Sequence, residues 1–93
     1  AGSAEAEEFM TDALRPLLEY DNRRQPGSLL KTLKTYFECN GNAKETAERM
    51  FLHYNTVAYR LERVRHELGI PLDDAETRLR LQLAIKLHEM KES

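Results

Sequence analysis

The sequence predicts an all-α domain, a compact bundle of about five helices. Three observations carry that prediction. Apolar residues recur three and four positions apart through most of the chain, the spacing that lines one side of a 3.6-residue helix. Breakers are few: the prolines are Pro16, Pro26 and Pro71, and with four glycines they leave room for long helices between them. A length of 93 residues then bounds the architecture to one domain with a single modest core.

The first helix is predicted from about Ser3 to Tyr20. Phe9, Ala13, Leu14, Leu17 and Leu18 hold helical spacing, and the early acids suit the positive end of the helix dipole. Pro16 lacks a backbone N–H and predicts a kink or a split. Asp21 to Gly27 reads as a linker dense in turn signals. Ser28 is placed as the N-cap of a second helix, with a stripe of Leu29, Leu30, Leu33, Tyr36 and Phe37, an end near Cys39 and a stop at Gly41. A third helix spans about Ala43 to Met50, and Phe51 to His53 forms a turn. A fourth helix runs from about Tyr54 to Leu68, stopped by Gly69 and Pro71. Val57, Leu61, Val64 and Leu68 share one side of it, which is the core side.

Asp73 or Asp74 caps a last helix that runs to about Met90. That helix is apolar on two sides. Leu79, Leu83, Leu87 and Met90 form one stripe, and Leu81, Ala84 and Ile85 form another, roughly opposite. One core can use one stripe, so the other is expected against a second chain or against the first helix.

Composition excludes several classes. A hydrophobic content of 41% and a charged content of 32% suit a folded soluble domain. No run approaches the roughly 18 apolar residues of a membrane span, and the acidic N-terminus has no signal-peptide pattern. Cys39, a single cysteine, excludes an intrachain disulfide and fits a reducing cytoplasm. Ala1-Gly2-Ser3 reads as a cloning remnant, and the expectation is a domain excised from a longer protein. His53, His66 and His88 lack metal-ligand spacing, Cys39 has no base nearby in sequence, and no glycine-rich phosphate loop occurs. No enzyme activity, metal or cofactor is expected.

The informative stretch is Asn42 to Leu61. A short helix, a tight turn and a second helix with a polar first turn make the layout of a helix-turn-helix, whose second helix enters the major groove of double-stranded DNA. Ala47 is small where the two helices cross, and Met50, Leu52 and Val57 join them. Phe51 stands where many such turns carry glycine. Residues 1–27 are read as a helix and linker from a preceding region, and 28–93 as the helix-turn-helix DNA-binding domain.

Each candidate contact has a plainer reading beside it. His53 is either a phosphate contact or simply the N-cap of the recognition helix. Tyr54 and Asn55 point outward from its first turn, where asparagine pairs with adenine and tyrosine reaches phosphate or a thymine methyl; a capping asparagine is the alternative. Thr56 is a phosphate-binding hydroxyl or a local cap. Tyr59, Arg60 and Arg63 continue the exposed side, as phosphate contacts or as solvated surface. Lys44 and Thr46, near the start of the preceding helix, reach the DNA backbone or only water. Glu62 opposes phosphate and is expected to pair with His66 or to face water.

A net charge of −2 argues against a nucleic-acid binder until its distribution is read. Residues 1–21 hold six acids against Arg15 alone, a net −5, which leaves the other 72 residues at +3. That mild charge predicts weak binding by one copy. Together with the two-sided last helix it predicts a homodimer. The rival reading is a protein-interaction or dimerisation module that uses the fold without DNA. The polar, basic outer side of the recognition helix argues against it.

The run Leu29-Leu30-Lys31-Thr32-Leu33-Lys34-Thr35-Tyr36-Phe37, then Asn42, Ala47 to Leu61 and Leu68-Gly69, resembles the C-terminal helix-turn-helix domain of PucR/CdaR-type bacterial transcriptional regulators. His53-x-Asn55-Thr56-x-x-Tyr59-Arg60-Leu61 is its most specific piece, and Phe9 to Asp21 looks like the joining segment upstream. The core motif is also similar to the Fis-type helix-turn-helix, which binds DNA as a dimer. The resemblance implies a longer cytoplasmic protein. In it an upstream sensor domain responds to a metabolite, such as a purine breakdown product or a sugar diacid, and this domain reads the promoter. It assigns contacts to His53, Asn55, Thr56, Tyr59 and Arg60; Tyr54 and Arg63 rest on the helical-face argument alone.

Overall fold

A computed structural model describes residues 3–24 and 28–92 of the chain. Five α-helices follow in order: α1 (Ser3–Arg23), α2 (Ser28–Glu38), α3 (Ala43–Met50), α4 (Tyr54–Glu62) and α5 (Ala75–Glu92). A π-helical turn, Arg63–Glu67, extends α4. The described residues contain no strand, so the all-α expectation holds.

One core joins every helix. Leu14 and Leu17 of α1, Leu29 and Leu33 of α2, Ala47 of α3, Val57 and Leu61 of α4, Val64, Leu72, and Leu81, Ala84 and Ile85 of α5 are all buried in it. α1 packs on α5 and α2, while the α3–α4 pair packs on α2. α5 commits the Leu81–Ala84–Ile85 stripe to the core and leaves Leu79, Leu83 and Met90 exposed. Leu87, expected on the outer stripe, instead packs half-buried against the core.

The start of the chain differs from the sequence expectation in two ways. α1 runs through Pro16 without a split, and Leu14 and Leu17 on either side of it are both fully buried. It also continues through Asp21, Asn22 and Arg23, which the turn signals had assigned to a linker. Of the rest of that predicted linker, Arg24 still bonds the Tyr20 carbonyl through its amide at 3.1 Å, and Gln25 to Gly27 lie outside the described residues.

Asp21 explains the extension. Its carboxylate is buried and accepts hydrogen bonds from the amides of Leu29 (2.9 Å) and Leu30 (3.1 Å), and from the Ser28 hydroxyl at 3.3 Å. The cap of α2 is therefore a residue seven places before the helix begins. Ser28, the expected cap, is instead the first helical residue and a donor to that carboxylate. An anion at the N-terminus of α2 satisfies otherwise unpaired amides and the helix dipole together.

The remaining boundaries follow local chemistry. α2 ends where Asn40 and Gly41 take left-handed backbone angles (φ 53° and 80°), and the Gly41 amide returns to the Tyr36 carbonyl at 2.8 Å. α5 is capped by Asp74, whose carboxylate accepts from the Thr77 amide (2.9 Å) and hydroxyl (2.8 Å). That geometry holds the Asp74 carboxyl below the usual carboxylate range.

Candidate nucleic-acid interface

The α3–turn–α4 unit is built by two caps and one unusual turn. Asn42 caps α3, its side-chain oxygen accepting from the Glu45 amide at 2.9 Å. The chain then leaves α3 through Phe51, in the left-handed region (φ 57°, ψ 41°). The Leu52 amide reaches back to the Ala47 carbonyl (2.9 Å), and Leu52 packs against the core. This closure turns α4 across α3 at the small, buried Ala47.

His53 caps α4. Its Nδ1 accepts from the Asn55 amide at 3.0 Å, and its backbone is extended (φ −67°, ψ 144°). In the neutral ring an accepting Nδ1 leaves the proton on Nε2. The cap therefore leaves an N–H donor on an exposed side chain, and capping and anion contact do not compete.

Val57 and Leu61 anchor the inner side of α4, while Tyr54, Asn55 and Tyr59 are exposed on the outside. Thr56 is half-buried at the edge of that surface. Arg63, at the start of the π turn, stacks over the Tyr59 ring (4.7 Å to the centroid) and donates from Nε to the Tyr59 hydroxyl at 2.7 Å. It also pairs with Glu67. Glu62 pairs with His66 at 3.0 Å, as the helical spacing predicted. Lys44 is exposed near the start of α3.

Two predicted contacts sit elsewhere. Thr46 is fully buried, and its hydroxyl donates to the Asn42 carbonyl at 2.8 Å, so it stabilises the start of α3 and has no surface to offer a phosphate. Arg60 is half-buried and donates from Nη1 to the Thr32 hydroxyl of α2 at 3.1 Å. That hydroxyl in turn donates to the Ser28 carbonyl at 2.7 Å. Arg60 is thus a brace between α4 and α2 in this structure.

The sequence reading also missed two features. The fourth helix does not continue as α-helix to Leu68: the Leu68 amide bonds the Arg63 carbonyl five residues back, which defines the π turn. Phe51, which replaces the glycine of Fis-type turns and is normal for the PucR-like pattern, has a side chain that is 95% exposed, which the sequence reading does not anticipate. Among the described residues no helix is long and apolar enough to cross a membrane.

Comparison with known proteins agrees with this geometry. Residues 29–87 match the model of the PucR C-terminal helix-turn-helix domain. The chain is 42% identical over 82 residues to the purine catabolism regulatory protein of Bacillus subtilis, covering 88% of this chain and 15% of that protein. It is 36% identical over 75 residues to the proline-responsive transcriptional activator PutR of Bacillus subtilis, covering 81% of this chain and 18% of the relative. It is 35% identical over 75 residues to the carbohydrate diacid regulator of Escherichia coli, covering 81% and 20%. The chain thus spans a fifth or less of the length of these three relatives. No solved structure gives a significant match. With a family model matching most of its length, on a helix-turn-helix whose caps and crossing are all in place, the chain belongs to the PucR C-terminal helix-turn-helix family of transcriptional regulators.

Proposed function

We propose that this domain reads double-stranded DNA as the output module of a metabolite-responsive bacterial regulator, with α4 in the major groove. Tyr54 and Asn55 face base edges. Thr56, Tyr59, Arg63 and the Nε2–H of His53 meet phosphates, and Lys44 reaches the backbone from α3. The observation that carries this reading is the outer surface of α4. Its first turn is polar and exposed, while Val57 and Leu61 fix its inner side in the core.

Two copies on half-sites about 34 Å apart, or a multiple of that, double the phosphate contacts and offset the mild charge. The relatives are named for purine catabolism, proline and carbohydrate diacid, while each matches this domain at 35% identity or more. Effector choice therefore belongs to an upstream sensor domain of a longer, cytoplasmic protein, which residues 1–27 would join to this one.

The test is fluorescence anisotropy against a pool of labelled duplexes at two salt concentrations. Salt-sensitive binding that enriches a repeated or palindromic site is expected. Arg63→Ala should weaken binding to all duplexes and flatten the salt slope by about one unit. Asn55→Ala should change which sequence is preferred. A second reading, an interaction or dimerisation module without DNA, draws on the exposed Leu79 and Leu83 of α5. It wins if the domain self-associates but binds no duplex at low salt.

A further inference from the structure

The fold does not account for Phe51. The closure between α3 and α4 needs a left-handed residue, and a bulky side chain is disfavoured there. At the other described positive-φ positions the chain uses Asn40, Gly41 and Gly69, the residue types that tolerate it. Packing gives no return for the strain, since the ring is 95% exposed. A glycine would close the same turn with less strain.

The place of Phe51 in the chain narrows what it serves. Phe51 lies two residues before the cap His53 and three before Tyr54, which is itself 50% exposed. Three residues of chain span at most about 11 Å, so the exposed Phe51 is a near neighbour of the first turn of α4. The two aromatics flank the polar cap, and the only apolar group that a DNA major groove presents is the 5-methyl of thymine.

We propose that Phe51 is a specificity-determining residue that packs against a thymine methyl at the edge of the site read by α4. The inference rests on the DNA-binding reading and adds to it an apolar base contact from the turn, beside the one open to Tyr54.

The experiment compares the domain with its Phe51→Gly and Phe51→Tyr variants, by thermal unfolding and by anisotropy on the duplex that the pool selects. Thymines in that duplex are replaced by uracil one at a time, which deletes the methyl and leaves the pairing edge intact. The expected result has three parts. Phe51→Gly melts higher, by roughly 5 °C. It binds the selected duplex roughly tenfold more weakly, the effect of one lost base contact. One thymine-to-uracil change weakens the parent and Phe51→Tyr several-fold and leaves Phe51→Gly unmoved. Equal sensitivity of all three proteins to every uracil overturns the proposal while leaving DNA binding standing. So does a lower melting temperature for Phe51→Gly, which would make the ring part of the fold. Loss of self-association in Phe51→Gly with unchanged DNA affinity also overturns it, in favour of a protein contact. Failure of the parent to bind any duplex removes this inference and the DNA-binding reading together.

Discussion

Asp21→Ala tests the joint between α1 and α2. The substitution removes a buried carboxylate that accepts from the Leu29 and Leu30 amides at 2.9 and 3.1 Å. Hydrogen bonds to charged groups contribute about 1.5–3 kcal/mol each, and a lost N-cap costs about 0.5–2 kcal/mol. Water can reach the part-buried Leu30 amide but not the buried Leu29 amide, so only part of the loss is recovered. The expected destabilisation is about 3 kcal/mol, which lowers the melting temperature of a domain this size by on the order of 15 °C. Asp21→Asn keeps one acceptor and should fall between Asp21→Ala and the parent. Ser28→Ala removes only a 3.3 Å contact and should cost about 0.5 kcal/mol or less. Urea unfolding followed by far-ultraviolet circular dichroism measures all three, with an unchanged m-value confirming that stability alone has moved. A capping Ser28 would reverse the order, and a loss below about 1 kcal/mol for Asp21→Ala would refute the long-range cap.

Three further outcomes follow from the same geometry. Thr32→Val keeps the shape of a buried side chain but strips Arg60 of its partner, and should cost about 1–2 kcal/mol in the same urea assay. Leu14→Ala, at a fully buried site in α1, should cost about 2–5 kcal/mol, whereas Leu79→Ser on the exposed stripe of α5 should change monomer stability by less than about 0.5 kcal/mol. Asp74 titrates below its ordinary range when folded, so its cap acts fully above the unfolded carboxylate pKa and is lost as pH falls through the lowered folded value. Urea midpoints at neutral and acid pH should therefore converge in Asp74→Asn relative to the parent.

The parts of the fold that were legible in the sequence are those determined within one or two helical turns. The bounds of α3, the cap at His53, the cap of α5 narrowed to Asp73 or Asp74, and the buried side of α4 all follow from neighbouring residues and periodicity. Partners far along the chain were not legible. Asp21 looked like linker because its amides come from Leu29 and Leu30, across the Gln25–Gly27 segment. Arg60 looked like a surface cation because nothing local reveals that Thr32, 28 residues earlier, accepts from it. Thr46 lies one position before Ala47, and burial of the helix crossing takes both side chains inside. The π turn has no compositional signature either: Arg63 to Glu67 contains neither glycine nor proline, and only the backbone bonding distinguishes it.

The position of α1 has a kinetic consequence. It carries six of the chain's sixteen acidic residues and packs on α5 and α2, while α2 also supports the α3–α4 pair, with Lys44 on α3 and Arg63 in the π turn that follows α4. A domain charged in this way carries a dipole as well as a net charge. On the DNA-binding reading, the phosphates would repel this acidic helix and attract the cations of the helix-turn-helix, over a Debye length of about 10 Å at 0.1 M salt. Orientation would then be partly set before contact, during diffusion, and added salt would slow productive arrival as well as hasten departure.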